Sequence, residues 1–150
     1  MGDQKRVLLV DDDEALRRWL GEYLDDLGYE AHTAVDGDHA IRSAIALRPD
    51  LILLDLYVPD PAFAVRFAEA YRERVPAEQR APIVVLSGTN NLDQMAQRIG
   101  ADATLAKPFE LSEVTKLLVK FLEPAETAVV QLDGAAPVAE LTPQPETGSA

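Results

Sequence analysis

Short, continuously apolar runs alternate with amphipathic stretches from the first residues of the chain to about Leu122. Val7, Leu8, Leu9 and Val10 form one such run, the pattern of a strand covered on both faces. Asp13 then stands where a helix needs an N-cap, its carboxylate within reach of free backbone N–H groups. Leu16, Trp19, Leu20, Tyr23, Leu24 and Leu27 recur at helical spacing until Gly28 ends the run. A less hydrophobic strand of edge character fits 29–34. Asp36 opens a second helix that runs to about Leu47 and is stopped by Pro49.

The pattern then repeats. Residues 51–54 make the most apolar strand, ending on Asp55, and a helix over about 62–74 puts Phe63, Phe67 and Tyr71 on one face. Strands over 83–86 and 103–106 flank a short helix over 92–99. A last helix spans 110–122, with Leu111, Val114, Leu117, Leu118 and Phe121 expected to face inward. Five strands alternating with five helices predict an α/β fold with a doubly wound, five-stranded parallel sheet. Crossovers between parallel strands are right-handed and cover both faces. Residues 1–123 are thus expected to form one domain. Residues 124–150 carry four acids, four prolines and no Lys, Arg or aromatic. Such an acidic, Pro/Ala-rich tail buries too little apolar surface to offset its ordering entropy and is expected to be disordered.

Composition narrows the function. A formal net charge of −12 disfavours nucleic acid and anionic membrane surfaces as direct partners, since both require clustered Lys and Arg. The absence of cysteine excludes disulfides, zinc–thiolate sites and Cys nucleophiles. No apolar stretch reads as a signal peptide or membrane span, so a cytoplasmic location is expected. Neither G-x-G-x-x-G nor G-x-x-x-x-G-K-[ST] occurs, and His32 and His39 supply no catalytic triad.

In an open parallel sheet, ligands bind at the carboxyl ends of the strands beside the point where strand order reverses. Asp11 and Asp12 follow the first strand, Asp55 the third, Ser87 the fourth and Lys107 the fifth. Three carboxylates at one sheet edge repel unless a cation neutralises them, and an all-oxygen donor set suits Mg²⁺. Asp55 can act as a nucleophile toward phosphorus, with the ion and Lys107 bearing the charge on the phosphoryl oxygens. Ser87 can donate its hydroxyl to one of those oxygens. Asp13 and Glu14 are read as helix capping and solvation only.

The motifs VLLVDDDE, PDLILLDLYVP, APIVVLSG and GADATLAKPF, in this order and spacing, resemble the bacterial two-component response regulator receiver domain, the CheY-like family. The resemblance covers residues 5–122 and implies a flavodoxin-like (βα)5 receiver fold. It implies that Asp55 accepts a phosphoryl group from a sensor histidine kinase or a histidine phosphotransfer protein. By position, Asp11, Asp12, Asp55 and the backbone carbonyl of Tyr57 would hold Mg²⁺, with Asp12 the more direct of the acidic pair. Ser87 matches the switch hydroxyl and Lys107 the lysine that contacts the phosphoryl group. Output would pass to a downstream protein or a homodimer through the fourth helix, fifth strand and fifth helix.

Three residues depart from the family pattern. Thr104 stands where an aromatic ring usually swings inward, Phe63 where glycine is common, and Gly88 where alanine is frequent. Phe63 is expected to reshape the start of the third helix. Two other readings compete: a phosphorylation-independent pseudo-receiver that binds partners, and a hydrolase with an aspartyl-phosphate intermediate. No insertion long enough for a substrate cap supports the latter.

Overall fold

A computed structural model describes residues 4–56, 61–88, 92–122, 133–134 and 136–139. The chain divides into two units, Met1–Glu110 and Leu111–Ala150. The first holds β1 (Arg6–Val10), α1 (Glu14–Asp26), β2 (Glu30–Ala34), α2 (Gly37–Leu47) and β3 (Leu51–Asp55). It continues with α3 (Pro61–Arg74), a short 3₁₀ turn (Ala77–Gln79), β4 (Ile83–Ser87), α4 (Leu92–Ile99) and β5 (Ala103–Ala106). The second holds α5 (Leu111–Leu122) and the short antiparallel pair β6 (Asp133–Gly134) and β7 (Ala136–Ala139). Strands and helices alternate as the sequence predicts, in a five-stranded parallel sheet of flavodoxin-like (βα)5 type. Among the described residues, no helix is long and apolar enough to cross a membrane.

The strand order is β2-β1-β3-β4-β5. Every position of β3 and β4 is buried, which explains their unbroken apolar runs. The edge strands β2 and β5 have mostly half-buried positions, and their sequences are correspondingly mixed. The chain leaves β1 for β2 on one side and then returns past β1 to β3 on the other, so a crevice opens at the carboxyl ends of β1 and β3. Register aligns those ends: Val10 pairs with Leu54, Asp55 with Leu86, and Ser87 with Ala106.

Local chemistry sets the helix ends. Asp13 accepts a hydrogen bond from the Leu16 N–H at 3.2 Å and Asp36 from the His39 N–H at 2.9 Å, satisfying N-terminal donors of α1 and α2. Gly28, at φ 97°, turns the chain after α1. Arg48 does the same after α2 at φ 52°, a conformation that costs a non-glycine residue strain. The sequence reading credited Pro49 alone with stopping this helix.

Burial departs from the helical-spacing reading at three leucine or tryptophan positions. Leu16, Leu20 and Leu24 form the buried stripe of α1, whereas Trp19 and Leu27 lie at its margins and are exposed. In α5 the buried stripe is Val114, Leu118 and Leu122, and Leu111 in the first turn is exposed. Much of the expected tail, 124–150, lies outside the described residues; its described part is the β6–β7 pair.

Phe63, Phe67 and Tyr71 form an aromatic ladder along α3, with ring centroids 5.8 Å and 6.0 Å apart. All three are buried, and the Tyr71 hydroxyl accepts the Ala81 N–H at 2.9 Å just before β4. Phe63 lies within the helix, and its ring turns inward over Gly37. A methyl group at residue 37 would lie only 2.9 Å from Phe63 Cε1. Gly37→Ala is therefore expected to destabilise the protein by about 1–3 kcal/mol through overpacking. Helix propensity alone predicts the opposite sign, a gain of up to about 1 kcal/mol. Urea denaturation of Gly37→Ala, Phe63→Leu and the double variant decides between them, since removing the ring should cancel the penalty.

Candidate functional site

Asp11 sits one residue beyond β1 and is fully buried. Each of its polar groups has a partner. Its N–H donates to the Ala34 carbonyl at 3.2 Å, and its own carbonyl accepts from Arg17 Nη1 at 3.0 Å. Oδ1 accepts the Asp13 N–H at 2.9 Å, and Oδ2 accepts from Lys107 Nζ at 2.8 Å. A buried carboxylate persists only when so compensated.

Asp55 closes β3 and is almost fully buried; its Oδ2 lies 3.5 Å from Lys107 Nζ. The ammonium thus bridges the two buried acids. Asp12 is exposed at the mouth of the crevice. One carboxylate oxygen from each of Asp11, Asp12 and Asp55 can be chosen so that all lie within 4.8 Å of one another. Ser87 is buried at the end of β4, where its carbonyl accepts the Lys107 N–H at 2.9 Å. The sheet itself therefore holds the lysine backbone in line with the serine.

Burial pushes the Lys107 ammonium toward its neutral form. The hydrogen bond it donates to Asp11 and the negative charges of Asp55 and Asp11 outweigh that effect and hold its pKa above the ordinary lysine range. The same attraction offsets the repulsion between the two buried acids.

The structure brings Asp11, Asp12, Asp55, Ser87 and Lys107 to the carboxyl edge of the sheet, as their positions after the strands predict. Tyr57 lies outside the described residues. Thr104 is half-buried in β5 opposite Val85. Gly88 is exposed, and a methyl group there would meet the Lys107 carbonyl at an unremarkable 3.9 Å, so space does not demand glycine. Asp13 caps α1 as expected, and its N–H also orients Asp11. Sequence reasoning missed Arg17. The available signal was a basic side chain in the second turn of a helix, since helical side chains lean toward the N-terminus and this one reaches back to the acidic turn.

The donor set is all oxygen and strongly acidic, which fits a hard divalent cation rather than a soft metal. A flavodoxin-like sheet thus carries, at its crevice, a cluster of acids able to hold a hard divalent cation, with a lysine and a serine beside them. Residues 7–119 match the response regulator receiver domain, and the chain belongs to that family. It is 40% identical over 113 residues to the transcriptional regulatory protein PrrA of Mycobacterium tuberculosis, a match covering 73% of this chain and 46% of PrrA. The chain thus spans less than half the length of that relative. It is 28% identical to sporulation initiation phosphotransferase F of Bacillus subtilis over 79% of this chain and 94% of that protein. Among solved structures, chemotaxis protein CheY4 of Vibrio cholerae superimposes with a TM-score of 0.70 at 31% identity, covering 80% of this chain and all (100%) of that one. The receiver domain of a sensor histidine kinase from Pseudomonas aeruginosa gives 0.69 at 28% identity, covering 79% and 98%; that structure has a magnesium ion coordinated in its active-site cleft.

Removing the lysine exposes the repulsion it offsets. Lys107→Met is expected to cost about 2–4 kcal/mol at neutral pH in divalent-free buffer, because Asp11 stays buried without its cation. The raised pKa fixes the sign of the pH dependence. The stability contributed by Lys107 is complete below the ordinary lysine range and is lost as pH climbs through the elevated folded value. The gap between wild type and variant, measured by urea denaturation at rising pH, should therefore narrow only in the alkaline range.

Proposed function

We propose that this chain is a phosphorylation switch that accepts a phosphoryl group on Asp55 and signals through protein contacts. The observation that carries this reading is Asp55 at the end of a buried strand, bridged by Lys107 to Asp11 and clustered with Asp12. Among the described residues that arrangement gathers a buried carboxylate, an acidic pair, a hydroxyl and a lysine, the groups that phosphoryl acceptance uses. A pseudo-receiver has no need of an intact set.

In the proposed reaction an Asp55 carboxylate oxygen attacks the phosphorus of a phosphohistidine on a sensor histidine kinase or a histidine phosphotransfer protein. The O–P bond forms as the P–N bond breaks, and the imidazole keeps the electron pair and takes up a proton. Lys107, already beside Asp55, bears charge on the phosphoryl oxygens, and the Ser87 hydroxyl donates to one of them. Asp11, Asp12 and Asp55, with the carbonyl of Tyr57, would hold Mg²⁺, whose contribution when bound is to neutralise charge on the carboxylates and the incoming phosphate. Water attack on phosphorus later breaks the O–P bond, releasing phosphate and restoring the carboxylate.

The proposed readers are a downstream protein or a second copy of the chain, with α4, β5 and α5 as contact elements. Thr104 has a short, rotamer-restricted side chain, so an aromatic swing at β5 is not available here. A switch is biased only by contacts that differ between its states, which leaves Ser87 and the residues after it as the principal sensors.

Intact-mass analysis after incubation with a small acyl phosphate and Mg²⁺ tests the reading. One phosphoryl group per chain is expected in wild type and none in Asp55→Asn, with unchanged circular dichroism. Omitting Mg²⁺ should slow incorporation by about 100-fold. Undiminished label in Asp55→Asn would sink the assignment; an unlabelled wild type would favour the pseudo-receiver.

A further inference from the structure

We infer that Arg17 is a positioning residue for the cation site, acting through the main chain between Asp11 and Asp12. The inference rests on the metal-assisted reading above and concerns how that site is held in shape. Arg17 Nη1 donates to the Asp11 carbonyl at 3.0 Å. That carbonyl belongs to the peptide joining Asp11 to Asp12. Fixing its plane places the Asp12 nitrogen and Cα, and so narrows the directions in which the Asp12 side chain can leave the backbone.

The two acids are otherwise restrained very unequally. Asp11 is buried and tied by its N–H and both carboxylate oxygens. Asp12 is exposed, and no hydrogen bond or ion pair holds its carboxylate among the described residues. An exposed, unrestrained ligand loses rotational freedom on binding a cation, and a rigid peptide plane beneath it reduces that loss. Groups that orient metal ligands without touching the metal commonly change affinity by about 10–100-fold when removed.

Arg17 also brings a positive charge toward an acidic cluster. Charge alone would weaken cation binding, so the electrostatic and positional roles predict opposite signs for its removal. Neighbouring Arg18 supplies the control. It carries the same charge one residue along, but it is exposed and reaches toward Glu14 at 4.0 Å, and among the described residues it makes no hydrogen bond or ion pair with Asp11 or Asp12.

The experiment titrates Mg²⁺ into wild type, Arg17→Gln, Arg17→Lys and Arg18→Gln, with calorimetry and amide chemical shifts as readouts. Arg17→Gln is expected to raise the Mg²⁺ dissociation constant about tenfold. Arg18→Gln should stay within about twofold, as expected for a screened surface charge. Arg17→Lys retains a donor and should recover most of the loss. In divalent-free protein, the Asp13 amide that bonds Asp11 should exchange about tenfold faster in Arg17→Gln, while the Leu53 amide in the sheet keeps its protection.

An unchanged or lower dissociation constant in Arg17→Gln overturns the inference, as does an equal rise in Arg18→Gln. Failure of Arg17→Gln to fold passes the decision to Arg17→Lys, for which wild-type affinity supports the role and a tenfold loss without a change in the Asp13 amide refutes it. A wild type that binds no Mg²⁺ refutes the metal-assisted reading instead. The Asp13 exchange rates then judge Arg17 alone, and equal rates in wild type and Arg17→Gln would overturn its positioning role.

Discussion

The Lys107 ammonium, 2.8 Å from Asp11 and 3.5 Å from Asp55, is the contact on which the rest of this site depends. Two carboxylates in a buried crevice each carry a desolvation cost of several kcal/mol and repel one another. One cation shared between them attracts both and so offsets that repulsion. The balance is deliberately incomplete in charge: three acids face one lysine. The net deficit makes the crevice receptive to a second cation, and it is a property of the folded arrangement rather than of any single residue.

Holding four side chains from four strands in one crevice requires the strand ends to be level, and the sheet provides this. Parallel pairing of β1 with β3, β3 with β4 and β4 with β5 leaves Asp11, Asp55, Ser87 and Lys107 at successive carboxyl ends. A one-residue slip in any pair would turn a functional side chain to the opposite face. The Leu-, Ile- and Val-rich strands beneath the site are buried throughout, and so their register is strongly specified. Core packing and site geometry are in this sense the same constraint.

Much of this was legible in the sequence because hydrophobic period is a local property. The runs at Val7–Val10 and over 51–54, the caps Asp13 and Asp36 and the ladder Phe63, Phe67 and Tyr71 need only neighbours along the chain to be read. The five acid, serine and lysine positions followed from the same strand ends. What could not be read depends on three-dimensional detail. Trp19 shares helical spacing with the core leucines, yet it lies at the margin of the stripe, its ring 6.0 Å from that of Phe109. Leu111 and Leu27 fail for the same reason: a helix face is wider in sequence than the strip its neighbours cover. Arg48 in a left-handed turn and Arg17 on the Asp11 carbonyl are choices of backbone angle and rotamer, which no residue type announces.

The two unusual residues, Phe63 and Thr104, then take on different weights. Phe63 looked in sequence like a disturbance to the start of the third helix. In the fold it is a buried core residue whose bulk is matched by the missing side chain of Gly37 on the facing helix. The pair is a small, self-consistent packing between α2 and α3. Thr104 has no such compensation: it sits half-buried on the edge strand with a side chain too short to occupy two well-separated positions. The chemistry at the carboxyl edge and the packing beneath it can therefore be ordinary for the family, while the step that follows them cannot use the same moving part. Any coupling must run through elements that can change contacts, and the most direct of these is the chain leaving Ser87, whose carbonyl is tied to the Lys107 amide. A shift of the Ser87 main chain would therefore pull on the very strand end that holds the lysine.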